Sequence, residues 1–275
     1  MASRELSPGL WLIGIGPGDL EHMTERAMRI AKGCSKRYLE GYTAVLPVDQ
    51  QELLEGAIGA WEMIMRPSVE KPDRLLEEAR NEPVALLVVG DPMQATTHID
   101  LEARCFEEDV GFEVIPGMSA TSLSVSLCGL QSYKFGRQVT LPYPYGDYLA
   151  TSPLETISSN KNNGLHTLVL LDLDPTGMGF DPPTPMSPSQ AVSVLEKMLD
   201  KHREEAGGES TIRGSIRDWD AILLSDIGTK GQRVLSGSLG DLSGITGGLI
   251  HTLILPTEMS DNEADAFHRR RLESR

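Results

Sequence analysis

From Leu10 to about Gly136, short apolar runs alternate with segments whose apolar residues recur at helical spacing, and this alternation constrains the chain more than any other feature. Leu10-Trp11-Leu12-Ile13-Gly14-Ile15 reads as a first strand, broken by Gly16-Pro17-Gly18-Asp19. Thr24 and Glu25 start a helix that places Met23, Ala27, Ile30 and Ala31 on one face. A short strand at Arg37-Tyr38-Leu39 follows, then a polar helix from about Gln50 to Ala57 and a strand near Glu62 to Met65. Pro72 opens a helix from Asp73 to Arg80, which leads into the apolar strand Val84 to Val89. A helix from His98 to Glu108, a strand from Phe112 to Ile115 and a helix from Ser119 to Leu127, stopped at Gly129, complete the pattern. Such alternation predicts a largely parallel sheet covered by helices.

Beyond Gly136 the order changes. Strands are expected at Gln138 to Leu141, Thr167 to Leu171, Ala221 to Leu224, Arg233 to Gly237 and Thr252 to Leu255, a mixed α+β pattern. The reading is therefore an α/β protein of two domains: an N-terminal α/β domain over residues 1–136 and a C-terminal mixed α+β domain over 137–275. Five prolines between Asp174 and Ser189 predict a surface loop ahead of a helix from Gln190 to His202, and Gly207-Gly208-Glu209-Ser210 a second loop. The charged stretch from Glu258 onward predicts a terminal surface helix.

Composition excludes several function classes. With 40 acidic and 25 basic residues the formal charge is −15, which offers no footprint for a phosphate backbone, so no direct nucleic-acid partner is expected. Three cysteines without CxxC spacing argue against a disulfide framework or zinc knuckle and point to a reducing cytoplasm. Met1 to Leu6 lacks the apolar core of a signal peptide, and no run reaches the ~20 apolar residues that span a bilayer, so a soluble protein without membrane attachment is expected.

The stretch Gly90-Asp91-Pro92-Met93-Gln94-Ala95-Thr96-Thr97-His98 leaves the carboxyl end of a buried strand, where open α/β sheets bind ligands. Asp91 can pair with a ligand ammonium or accept from ribose hydroxyls, or it can serve as a helix cap or turn residue. At least one of Thr96 and Thr97 is expected to cap the helix at His98. Gly14-Ile15-Gly16-Pro17-Gly18-Asp19 is not a dinucleotide fingerprint, because Asp19 stands where the third glycine belongs and Pro17 has no N–H for a phosphate. It is either a tight turn against an adenosine-like or amino-acid ligand or a plain strand-to-helix turn. The six histidines are scattered and no metal site is expected; no Gly-x-Ser-x-Gly elbow is present. Group transfer between two bound partners, driven by proximity and alignment, remains.

Three stretches in this order, Gly14 to Asp19, Gly90-Asp91-Pro92 and Ile115-Pro116-Gly117-Met118-Ser119-Ala120, resemble the tetrapyrrole methylase fold, the class III methyltransferases. Four more are similar to the diphthine synthase family: Gly90 to His98, Gly129 to Gly136 (GLQSYKFG), Gly164 to Leu168 with Leu171-Asp172, and His251 to Ile254. The resemblance spans about Leu10 to Pro256. It implies a cofactor cleft between two α/β domains, a homodimer, and S-adenosyl-L-methionine as cofactor. The implied reaction is successive N-methylation of the 3-amino-3-carboxypropyl-histidine of translation elongation factor 2, giving diphthine in diphthamide biosynthesis.

Carried over residue by residue, the implied cofactor contacts are Pro17 (usually Leu), Asp91, Gln94 (often Val or Gly), Ala120 and Thr121 (commonly Ser-Ile), Leu171, Ile227 and His251. On the residues alone, Leu171 can pack against adenine or into the core, Ile227 offers main-chain groups at a strand end, and His251 is a structural histidine that the resemblance turns into a contact. No catalytic residue is fixed; Asp91 is the candidate, and solvent or a carboxylate such as Asp91 or Asp172 could take up the substrate proton. His166 reads as structural. The alternative activity is a corrin or other tetrapyrrole methyltransferase, favoured by the Ile115 to Ala120 turn and by Gly16-Pro17-Gly18-Asp19. A non-catalytic cofactor-binding protein is a third reading. The compact length inclines toward a product with three methyl groups over one with a fourth as an ester.

Overall fold

The structure is a computed structural model and describes residues 6–205 and 212–272; the loop expected at Gly207 to Ser210 lies outside the described residues. Two compact units are present. One comprises residues 1–120 with 178–183 and 228–230, the other 121–177, 184–227 and 231–275.

The first unit runs β1 (Gly9–Gly14), α1 (Glu25–Gly33), β2 (Lys36–Glu40), α2 (Val48–Ile58), β3 (Glu62–Ile64), α3 (Arg66–Glu70), α4 (Asp73–Ala79), β4 (Pro83–Val88), α5 (His98–Glu107) and β5 (Phe112–Ile115). Its five strands lie in the order β3-β2-β4-β1-β5, every pair parallel, with Gly14 opposite Val88 and Ile13 opposite Ile115. Val84 to Val88 are all buried, because a central parallel strand has helices on both faces and must be apolar on both. The Thr24 hydroxyl accepts the Ala27 N–H at 3.1 Å to cap α1, whose Ala27, Ile30 and Ala31 face the core as the spacing predicts. The sequence reading missed α3, a five-residue helix with Pro67 in its first turn.

α6 (Ala120–Cys128) leads into the second unit. There follow β6 (Val139–Leu141), α7 (Ser152–Asn162), β7 (Thr167–Leu171), α8 (Pro188–Glu205), β8 (Asp220–Ser225), β9 (Arg233–Ser238), α9 (Leu239–Leu242), β10 (His251–Leu255) and α10 (Asp261–Arg269). The sheet order is β6-β7-β10-β8-β9, with β6 and β7 parallel and the other pairs antiparallel, a mixed sheet as expected. Two expectations need refinement. The proline-rich segment lacks regular structure but is not simply a surface loop: Met186 is buried, and the N–H groups of Thr184 and Met186 donate to the carbonyls of Leu173 (2.6 Å) and Asp172 (3.0 Å). The terminal surface helix is present as α10, with Asp261, Asn262, Asp265, His268 and Arg269 exposed, but it is not solvated all round, because Glu263, Ala266 and Phe267 are buried.

Glu263 anchors that helix. Only 1 % exposed, its carboxylate accepts from Gln131 N (2.9 Å), His166 Nε2 (3.0 Å), Lys134 Nζ (2.8 Å), Ser260 N (2.9 Å) and Ser260 Oγ (2.9 Å). His166 Nδ1 accepts the Thr257 N–H at 3.0 Å, so its proton sits on Nε2 and is donated to Glu263, the structural role expected of it. Burial alone would raise the Glu263 carboxyl, but the Lys134 ammonium and the N–H groups of Gln131 and Ser260 outweigh it and hold the carboxyl far below the usual range. A carboxyl depressed on folding stabilises fully above the unfolded pKa of about 4.3 and loses that contribution progressively as pH falls from there through the lower folded value. Glu263→Gln is expected to lower the unfolding free energy at neutral pH by about 3–5 kcal/mol. In urea titrations the gap from wild type should narrow as pH drops below about 4; a constant gap would refute the assignment.

Candidate functional site

At the carboxyl ends of β4, β1 and β5, neighbours in the first sheet, three glycine turns meet main chain to main chain. Gly16 N donates to Gly90 O (3.2 Å) and Gly90 N to Gly16 O (2.9 Å). A Cβ on Gly117 would lie 2.2 Å from the Gly90 carbonyl oxygen, and one on Gly14 would lie 2.5 Å from Gly117 N, so glycine is required at both. Gly90 differs. Its φ of 88° is left-handed, and the space where a Cβ would stand is open, with Met118 O nearest at 4.0 Å.

Asp91 ties two of the turns together, Oδ1 accepting the Met93 N–H at 2.9 Å and Oδ2 the Gly117 N–H at 3.2 Å. The turn reading of Asp91 is therefore realised, and it reaches a second loop. The capping expectation for Thr96 and Thr97 fails: Thr97 occupies the cap position of α5 without a side-chain bond, and the Thr96 hydroxyl donates back to Pro92 O at 2.7 Å. Gln94 is exposed beside Ala95, whose φ is 57°. Pro17 is buried, its carbonyl accepting the Asp19 N–H at 2.9 Å; the same N–H reaches Gly228 O at 2.8 Å. Ala120 and Thr121 open α6 just beyond the Gly117 turn. Pro17, Asp91, Gln94 and Ala120 thus stand on the one end of the first sheet where its turns converge.

Leu171, Ile227 and His251 form a second group, on one end of the second sheet. β10 pairs Thr252 with Leu170 and His251 with Ser225, which brings His251 beside the ends of both β7 and β8. Leu171 is part of that unit's apolar core, and Ile227 packs on the cluster of Cys128, Leu130, Ile222 and Ile254. Buried His251 bonds Ser225 Oγ through Nδ1 at 2.8 Å, and burial pushes its pKa down, so the ring is neutral. Next to it, Asp226 Oδ1 accepts the N–H groups of Leu249 (2.7 Å) and Ile250 (2.9 Å), a link the sequence reading missed. Asp172 accepts three N–H groups, from Tyr143 (3.0 Å), Leu173 (2.8 Å) and Asp174 (3.1 Å), and so holds its own turn. Among the described residues there is no group of three or more His, Cys, Asp or Glu able to hold a metal ion. No helix among them is long and apolar enough to cross a membrane.

The sequence pattern of the Tetrapyrrole (Corrin/Porphyrin) Methylases matches residues 9–243. A diphthine methyl ester synthase of Yarrowia lipolytica is 36% identical over 93% of this chain and 87% of its own length. A diphthine synthase of Methanocaldococcus jannaschii is 31% identical, covering 94% of this chain and 97% of the relative. The chain belongs to the tetrapyrrole methylases, in their diphthine synthase branch. A solved Entamoeba histolytica structure described as a diphthine synthase superposes with a TM-score of 0.82 at 29% identity, over 96% of this chain and 99% of that one. The α/β fold and the methyltransferase class expected from the sequence follow from these matches, and relatives bearing diphthine names place the corrin alternative second.

The glycine turns make a direct prediction. Gly117→Ala forces backbone apart and should destabilise the protein by about 1–3 kcal/mol or more. Gly90→Ala meets open space and should cost only the left-handed strain of about 1–2 kcal/mol. Urea unfolding of both variants measures the difference; Gly90→Ala as the more damaging change would contradict the packing described.

Proposed function

We propose that this protein is a diphthine synthase. It transfers methyl groups from S-adenosyl-L-methionine, in successive rounds, to the amino group of 3-amino-3-carboxypropyl-histidine in translation elongation factor 2, a step of diphthamide biosynthesis. The observation that carries the reading is the joint match of the glycine turns and of relatives named for diphthine synthesis along nine-tenths of the chain.

The first unit suits this cofactor. Gly90 turns its main chain toward open space, flanked by the Pro17 and Gly117 turns. A proline at position 17 removes a donor that a pyrophosphate would need, and an adenosyl sulfonium carries no phosphate. Pro17, Asp91, Gln94 and Ala120 are the contacts proposed there, and the resemblance that supplies them also names Thr121, Leu171, Ile227 and His251. When bound, the cofactor supplies a methyl group on a positively charged sulfur, for transfer to an uncharged amine. The chain's part is alignment, which contributes on the order of 7–11 kcal/mol to such steps. A carboxylate has about four acceptor positions. Asp172 uses three on its own turn and Asp91 two, so Asp91 is the better placed of the two to take up a proton.

The family resemblance extends the proposal to a homodimer working in the cytoplasm, and the free, buried thiols of Cys34, Cys105 and Cys128 suit a reducing compartment. The number of transfers is proposed as four, three to the amine nitrogen, which becomes a quaternary ammonium, and the fourth to the carboxylate as a methyl ester. The relatives named for a methyl ester are up to 36% identical, against 31% for the archaeal relative, which outweighs the inclination toward three drawn from chain length.

Mass spectrometry of elongation factor 2 carrying the aminocarboxypropyl-histidine, after incubation with this protein and S-adenosylmethionine, tests the reading. Stepwise methyl additions confined to that histidine are expected, and the final mass counts them. Bound cofactor without any mass change would discard the substrate. Asp91→Ala should weaken cofactor binding at least tenfold, about 1.4 kcal/mol. Unchanged affinity and turnover in the folded variant would remove Asp91 from the site.

A further inference from the structure

His98 closes the loop that carries Asp91 and Gln94. Its ring is 1 % exposed, and Nδ1 lies 2.6 Å from the Pro92 carbonyl oxygen, which also accepts the Thr96 hydroxyl at 2.7 Å. A carbonyl only accepts, so Nδ1 carries a proton. The other nitrogen, Nε2, faces Glu40 Oε2 at 3.4 Å, a long ionic contact between two fully buried side chains. The Glu40 oxygens already accept from Thr43, N to Oε1 at 2.7 Å and Oγ1 to Oε2 at 2.9 Å, the pattern of an ionised carboxylate. Nε2 makes no hydrogen bond, so its link to Glu40 is the ionic contact, which a doubly protonated ring provides and a neutral ring protonated on Nδ1, with its Nε2 lone pair toward the carboxylate, does not.

We infer that His98 is a positioning residue for the cofactor-binding loop, held there as an imidazolium seated on Glu40 at the end of β2. The inference rests on the methyltransferase reading proposed above. Glu40 and His98 thereby join the loop to β2 on one side while Asp91 joins it to the Gly117 turn on the other, and Ala95 is kept between them in its left-handed conformation. The charged group facing the ring is Glu40. Next to it stands the buried Tyr42, whose ring carries the Arg66 guanidinium of α3 at 5.2 Å and senses Glu70 of the same helix. Burial alone would lower the pKa of His98, but Glu40 and the Pro92 carbonyl outweigh it and raise it. A raised histidine keeps its contribution at low pH and loses it as pH rises through the folded value; losing the Nε2 proton sets a lone pair against a buried carboxylate and frees the loop.

Cofactor affinity measured by calorimetry on the full chain from about pH 6 to about pH 9 should therefore fall on the alkaline side, with a midpoint above the ordinary histidine value of about 6.5. A fall of at least about tenfold is expected as the competent loop becomes the minor population. Glu40→Gln keeps the shape and a Thr43 acceptor but removes the charge, and should move the midpoint down to the ordinary range or below it. In wild type, ¹⁵N spectra of the imidazole should show both His98 nitrogens protonated at neutral pH. A neutral His98 in those spectra, or the same affinity profile in wild type and Glu40→Gln, overturns the inference. A wild-type protein that binds no S-adenosylmethionine at any pH overturns the functional reading itself, a result distinct from an unshifted profile.

Discussion

Main-chain contact among Gly14, Gly90 and Gly117 is the constraint on which the first unit's candidate site depends. Three parallel strands can end in a shared turn cluster only if no side chain intervenes, and two of these glycines leave no room for one. The sheet order makes the meeting possible, because β1 lies between β4 and β5 and all three point the same way. Once the turns touch, backbone groups rather than side chains define the surface at the strand ends. Gly90, with open space over its Cα, is where that surface is bare.

The fold was legible where residues report their surroundings locally. Val84 to Val88, apolar on both faces, can only be a covered parallel strand, and Thr24 followed by Ala27, Ile30 and Ala31 announces its helix. Legibility fails where partners are distant. α7 hides behind serines and asparagines because its buried face holds few apolar residues, Pro153, Leu154 and Ile157, beside the buried Asn160. Glu263 reads as one more solvated charge in an acidic tail, and nothing near it in sequence announces Gln131, Lys134 or His166. The same holds at the site: Asp91 is recognisable as a turn residue, but its bond to Gly117 spans 26 positions, and Glu40 with His98 leaves no local trace.

Resemblance and geometry contribute different things to the candidate residues. Pro17, Asp91, Gln94 and Ala120 cluster on the first sheet's strand ends, and Leu171, Ile227 and His251 on those of the second. Within each group the physical roles differ. Leu171 and Ile227 help build an apolar core, while neutral His251 is oriented by Ser225. Asp91 does structural and candidate binding work at once, so its replacement changes loop position as well as ligand contact.

The reach of Glu263 governs when the second unit can finish folding. Its bonds to Gln131, Lys134 and His166 join positions 132, 129 and 97 residues apart. The sheet of the first unit, by contrast, draws its strands from residues 9–115. A ribosome adding about 5–20 residues per second needs on the order of ten seconds to pass from the Gln131 turn to Glu263. Through that interval the strands of the first sheet are all synthesised while the second lacks its closing helix, leaving Cys128 and Leu130 without the cover of Phe267. The nascent chain thus carries one sheet whose strands are all made and one that waits for its last helix, an asymmetry set by where one carboxylate finds its donors.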